Sequence, residues 1–146
     1  MILISHRGNI DSINESLENS PDYIKKALYQ GFYVEIDLWQ TDKGLFLGHD
    51  LPQYEIEDKF LNNNKLFVHC KNIQALGFMT NNNFLCEYFW HENDHCTLTS
   101  KLNIWVYPGK ELIPGSIAVL PEVDYKGNLS ECYGICSDFI SKYKEI

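Results

Sequence analysis

The sequence predicts an α/β fold, a pared-down TIM-like (β/α)8 barrel in which several crossover helices are shortened or missing. Residues 2–5, 21–30 and 33–40 read as strand, helix and strand within the first forty positions, a βαβ unit that requires parallel strands. About eight strand-like segments are spread along the 146 residues. That leaves roughly 18 residues per unit, too few for a full helix after every strand. No linker or internal repeat interrupts the chain, so residues 1–146 are expected to form one domain. An open α/β sheet with an irregular carboxyl-terminal half is the alternative.

The elements follow from local chemistry. Residues 2–5 are an apolar strand with His6 at its carboxyl end, and residues 9–20, rich in Asn, Asp, Ser and Glu, read as a loop. Ser20 can cap a helix whose first turn carries Pro21; Tyr23, Ile24, Ala27 and Leu28 form its apolar face and Gly31 stops it. After the second strand, Thr41-Asp42-Lys43-Gly44 is a turn, and 45–48 return as a strand that presents His49. A weak helix is expected over 55–61. Residues 65–71 are the next strand, with Leu66, Val68 and Cys70 on one face and Phe67, His69 and Lys71 on the other. A short helix over 72–80 and strands at 84–90, 103–107, 117–120 and 133–137 follow, then a last helix over 138–144.

Residues 34–38 alternate apolar and charged side chains, so Glu35 and Asp37 share one face while Val34, Ile36 and Leu38 share the other. Two carboxylates side by side repel, and a buried pair needs a cation; a hard divalent metal is the usual answer. With His6-Arg7 closing the first strand and His49-Asp50 following the second, the set points to a metal, a phosphate and two proton-transfer groups.

His6-Arg7-Gly8, Leu17-Glu18-Asn19-Ser20, Glu35-Ile36-Asp37, Thr41-Asp42-Lys43-Gly44 and His49-Asp50 stand in the order and spacing of the glycerophosphodiester phosphodiesterase family, which residues 1–51 resemble. Beyond residue 51 the likeness thins. The resemblance implies a metal-dependent phosphodiester hydrolase of lipid metabolism acting on a glycerophosphodiester or similar polyol phosphodiester. It makes His6 and His49 the general acid and base, Glu35 and Asp37 the metal ligands, and Arg7 a bidentate phosphate binder. It also has Glu18 hold Arg7 or approach the metal, and Lys71 pair with a phosphate oxygen. One divalent ion is implied, Mg2+ or Ca2+ in the first place. A neighbouring substrate hydroxyl would attack phosphorus to give a cyclic phosphate, which water then opens; related lyases stop at the cyclic product.

One position departs from the family, whose later strand carries Glu-x-Lys where this chain reads His69-Cys70-Lys71. Either His69 is the third ligand, with a lean towards Mn2+ or Zn2+, or Glu87, Glu92 or Asp94 completes the site. Trp105 and Tyr107 share a strand face where the family carries an aromatic beside the substrate, and aromatic core is an equal reading. Gly134-Ile135-Cys136-Ser137-Asp138 resembles the family's final strand, Gly-Ile-x-Thr-Asp.

The net charge of −8, with no cluster of Lys and Arg, excludes a nucleic-acid partner, and a small-molecule phosphodiester is expected instead. The oligomeric state is not written in the sequence. No apolar run approaches the ~18 residues of a membrane span, and Met1-Ile2-Leu3-Ile4 is too short for a signal peptide, so a cytoplasmic protein without an integral membrane segment is expected. Five cysteines, odd in number and without a CxxC pair, read as reduced and mostly buried thiols.

Two rival readings remain. His91-Glu92-Asn93-Asp94-His95 is a literal HExxH, but zinc-peptidase chemistry needs it on a helix, and the strand-like residues before it favour a loop from which His91 or Asp94 could line the phosphate site. A barrel that binds phosphate without turnover is the other, argued by the missing third Glu.

Overall fold

Alternation along Tyr33–Thr41 builds β2, the strand around which the fold is laid out in the computed structural model, which describes residues 1–146. Val34, Ile36 and Leu38 point outward into a hydrophobic cluster, and Glu35 and Asp37 are buried on the opposite face. β1 (Ile2–His6) pairs with the first half of β2 in parallel. The capped helix α1 (Pro21–Tyr29) links the two, with Ser20 accepting from the Tyr23 amide. Nine residues make β2 longer than β1. Its second half pairs instead with antiparallel β3 (Gly44–Leu47), which in turn carries β4 (Tyr54–Ile56). Since Leu38 faces Leu47 on one side and Cys70 on the other, β3 takes the edge that β1 leaves, which brings the chain after Leu47 above the end of β1.

On the other edge β2 pairs with parallel β5 (Leu66–Cys70), which pairs with β6 (Glu87–Phe89); α2 (Ile73–Thr80) connects them. β7 (Cys96–Leu98) is antiparallel to β8 (Ile104–Val106), and parallel β9 (Ile117–Val119) and β10 (Gly134–Ser137) lead back to β1. The parallel order is therefore β6-β5-β2-β1-β10-β9-β8.

The expected (β/α)8 barrel is not what forms. The molecule is a curled, mixed sheet of ten strands, a half-barrel with only two short α-helices, and no ladder joins β6 to β7 or β8. The reason is strand length. β6, β8 and β9 are three residues each and present too few outward side chains to bury the apolar face of a crossover helix, so loops replace the helices. The sheet stays open, as in the open-sheet alternative, but its two ends meet through side chains and a backbone bond. Phe89 of β6 stacks on Trp105 of β8 at 4.6 Å, and Trp105 reaches Phe67 of β5 at 5.7 Å. Below them Glu87 accepts from the Thr99 hydroxyl at 2.7 Å and the Asn103 amide at 2.8 Å, and Ser100 N–H donates to the Tyr88 carbonyl.

Three further expectations are corrected. Residues 55–61 are β4 and a 3₁₀ turn (Asp58–Leu61), the last helix is only the 3₁₀ turn Ile140–Tyr143, and β7 lies where no strand was expected. No helix is long and apolar enough to cross a membrane, and all five cysteines are unpaired, with only Cys96 outside the buried class.

Candidate functional site

The carboxyl ends of β1, β2 and β5 open into a cavity of about 420 Å³ whose walls include His6, Arg7, Glu35, His49, His69, Lys71, His91 and Trp105. Asp37 lies immediately behind Arg7, His69 and Lys71.

His6 ends β1 with its ring held by Asp138, just past β10, through a 2.8 Å bond from Nδ1. A carboxylate can only accept here, so Nδ1 carries the proton and Nε2 faces Glu35 Oε2 at 3.8 Å. Burial alone would push His6 down, but the Asp138 bond and the Glu35 charge outweigh it and raise it. Asp138 also accepts from Asn9 Nδ2 at 2.8 Å, its backbone N–H donates to Glu122, and its carboxyl is held below its ordinary value by His6 against the effect of burial.

Arg7 turns out of β1 with a left-handed backbone, φ 54°. Its Nε lies 3.0 Å from Asp37 Oδ2 and its Nη1 donates to Glu18 Oε2 at 3.2 Å. Of the two roles open to Glu18, holding Arg7 is the one its position allows; its other oxygen accepts from Asn9. Asn19 is fully buried at φ 63° and clamps Asp37 twice: Nδ2 donates to Oδ2 and Oδ1 accepts from the Asp37 N–H, both at 2.9 Å. Such φ values are uncommon outside glycine and are sustained by their surroundings. Here the Asn19 N–H donates to the Arg7 carbonyl, tying the two unusual residues together.

Asp37 is thus ringed by cations. Burial pushes its carboxyl up, but His69, Arg7 and Lys71 hold it well below the usual carboxylate range. Glu35 moves the other way, raised by burial and by the charge of Asp37. Ligand atoms of Glu35, Asp37 and His69 lie within 4.8 Å of one another, and two buried oxygens, Glu35 Oε2 and Asp37 Oδ1, have no hydrogen-bond donor. Buried carboxylate oxygens without a hydrogen bond are costly, even with the Lys71 ammonium 3.4 Å from Asp37 Oδ1, and a bound cation would satisfy both, so this donor set fits a divalent metal ion.

His49 follows Gly48 on the edge that β3 takes from β1, and it shares both the main cavity and an adjoining one of about 580 Å³ with His6 and Arg7. Its Nδ1 is 2.7 Å from Asp50 Oδ1, and burial with the Arg7 charge pushes it down. Lys71, with Nζ 3.4 Å from Asp37 Oδ1, completes the cationic wall.

The remaining candidates separate. His91 lines the cavity from the loop after β6; burial, then His69 beside it, pushes its ring down to about 4. Glu92 reaches the rim, whereas Asp94 accepts only from the Glu92 N–H in its own loop, and Glu87 is spent on the β6 seam. The 91–95 segment is irregular and His95 turns to the Glu111 carbonyl, so the helical geometry that HExxH chemistry requires is absent. Trp105, 2% exposed, belongs to the aromatic floor. Residues that had no role in the sequence reading are Asp138, Asn9, Asn19 and Glu122. Asn19 lies inside the quoted Leu17-Glu18-Asn19-Ser20 and Asp138 ends the segment 134–138, so each was within a recognised motif, yet its partner lay elsewhere in the chain. No protein-family model, curated protein or solved structure matches the chain.

Proposed function

We propose that the protein is a metal-dependent phosphodiester hydrolase acting on a glycerophosphodiester or similar polyol phosphodiester. The observation that carries this reading is the convergence, at one cavity, of two histidines, two fixed cations and a carboxylate pair with orphaned oxygens. The resemblance of residues 1–51 to the glycerophosphodiester phosphodiesterases supplies the substrate class.

Glu35, Asp37 and His69 would hold the ion. When bound, a divalent cation supplies charge for the non-bridging phosphate oxygens and lowers the pKa of a hydroxyl beside it. Arg7 and Lys71 bind the phosphate anion. Arg7 is fixed for that task by Glu18 and Asp37, which cost it part of its fork but remove its freedom to swing. His49, at the accessible rim, takes the proton from the attacking hydroxyl. His6 gives a proton from Nε2 to the leaving oxygen, and Asp138 stabilises the imidazolium and fixes the tautomer. The five unpaired cysteines support a reducing compartment such as the cytoplasm.

The test is turnover by metal-stripped protein, with Mg2+, Ca2+, Mn2+ or Zn2+ added back, on a glycerophosphodiester and on bis(p-nitrophenyl) phosphate. His6→Ala and Glu35→Ala serve as controls. Metal-restored turnover that disappears in both variants is the expected result. Absence of turnover with every ion and both substrates sinks the enzyme reading and leaves a phosphate-binding domain.

A further inference from the structure

The three side chains that could hold the ion are not equivalent, and His69 decides what they would hold. Its Nε2 lies 3.1 Å from the His91 carbonyl oxygen. A carbonyl only accepts, so Nε2 carries the proton and, in the neutral ring, the lone pair is on Nδ1. That nitrogen faces the carboxylates, 3.3 Å from Asp37 Oδ1 but out of line for a hydrogen bond, so the oxygen keeps no donor. Asp37, fully buried, has Arg7 at 3.0 Å on one oxygen and Lys71 at 3.4 Å on the other. Glu35, 3% exposed, has a ligand oxygen within 4.8 Å of those of Asp37 and His69 and one oxygen, Oε2, without a hydrogen-bond donor. The ring is pinned from its face as well, stacked on Phe89 at 5.1 Å and 9°.

We infer that the centre is built for a borderline transition ion of the Zn2+ or Mn2+ kind, bound through His69 Nδ1, rather than for Mg2+ or Ca2+, and that the His91 carbonyl is the positioning group that sets the ring's tautomer. The inference rests on the metal reading above and names the ion's chemistry. Mg2+ and Ca2+ take oxygen ligands, and Mg2+ retains several waters. One imidazole among two buried carboxylates, backed by the Phe89 ring, favours ions that accept nitrogen. A backbone carbonyl behind the metal-facing imidazole is the outer-shell partner that orients such ligands and raises their basicity.

The experiment is calorimetric titration of metal-stripped protein with Zn2+, Mn2+, Mg2+ and Ca2+, with the Co2+ visible bands, shifted and intensified relative to the aqueous ion, as the report of a protein ligand field that includes His69. The parent protein should bind Zn2+ at least about a hundredfold more tightly than Mg2+. His69→Asn, neutral and of similar size, should lose the Co2+ bands and about 10–100-fold in Zn2+ affinity while the circular dichroism of the metal-free protein is unchanged. His69→Glu should raise Mg2+ and Ca2+ affinity and collapse the preference. Equal affinities for Zn2+ and Mg2+ in the parent, or Co2+ bands that survive His69→Asn, overturn the inference. The two readings fail separately. Selective Zn2+ binding without diester turnover removes the hydrolase and keeps the centre, whereas Mg2+-supported turnover indifferent to His69→Asn removes the nitrogen-ligated centre and keeps the hydrolase.

Discussion

His6 and Asp138, separated by 132 positions in the chain, are joined by a 2.8 Å bond across the adjacent ends of β1 and β10. Parallel pairing of Ser5 with Ser137 makes this possible, since it sets the residue after each of these serines side by side. Asp138→Asn keeps the shape but can offer its amide N–H to Nδ1, which would turn the imidazole to the wrong tautomer. A fall in kcat of about 10²–10⁴ is expected. The pH profile supplies a second readout. His6 is raised by Asp138 and Glu35, so a proton-donating His6 should lose activity only as pH climbs above its ordinary value. Removing the Asp138 charge should move that alkaline limb to lower pH, and an unmoved limb would count against His6 as the acid.

Glu35 offers a test of stability against function. Its pKa is raised in the folded state by burial and by Asp37, so folding is penalised increasingly as pH rises past the ordinary carboxylate range. Glu35→Gln removes that buried charge. The metal-free variant should therefore melt higher than the metal-free parent at pH 7, by a few degrees, and the difference should vanish near pH 4. The same variant should lose the rise in Tm that a bound ion gives the parent. A metal-free variant that melts lower would show that Glu35 makes an interaction worth more than its desolvation.

What could be read in advance was whatever depends on neighbours along the chain. The split of β2 into an apolar outer face and a carboxylate inner face follows from period 2, and the faces of β5 follow likewise. Ser20 and Pro21 announced α1. Pairing was not legible. Eight strand-like segments do not say whether the fifth, at 84–90, will pair with the sixth, at 103–107, and three-residue strands such as β7 carry too little pattern to be told from loop. Residues 54–61 fit both periods: Tyr54 and Ile56 alternate, whereas Ile56, Phe60 and Leu61 space like a helix, and the antiparallel edge of β3 decided for a strand. The site divides in the same way. Its histidines, carboxylates and cations stand on or just after recognisable strands and were visible, but the groups that aim them, Asp138 for His6 and the His91 carbonyl for His69, come from segments that follow other strands and leave no local trace.

Asn19 holds the centre from behind. Its two bonds to Asp37 and its left-handed backbone fasten the 9–20 loop to β2. Asn19→Ala would leave Asp37 Oδ2 with Arg7 alone, orphan the buried Asp37 N–H and force Ala to φ 63°, a combined loss of about 2–4 kcal/mol. Asn19→Gly should recover the backbone part only, about 1 kcal/mol. Urea unfolding of the pair checks the division; equal losses in both would place the whole effect in the hydrogen bonds.

Gly48 determines where His49 stands. Its N–H donates to the Asp37 carbonyl at 3.1 Å, its carbonyl accepts from Trp39 Nε1 at 2.6 Å, and the chain then folds back so closely that a Cβ would lie 2.1 Å from the Leu51 oxygen. With φ at 152° and backbone rather than a side-chain tip in the way, no rotamer change relieves the clash, so Gly48→Ala must displace the 48–53 turn. The expected cost is about 2–3 kcal/mol. A shift of His49 by about 1 Å should lower kcat roughly 10²-fold. Metal affinity should stay within about twofold, because Glu35, Asp37 and His69 stand on β2 and β5 and the turn bonds only the main-chain carbonyl of Asp37, not a ligand side chain. Parallel losses of turnover and metal binding would mean that the turn supports the whole site, while lost turnover with intact metal binding assigns to Gly48 the placement of His49 alone.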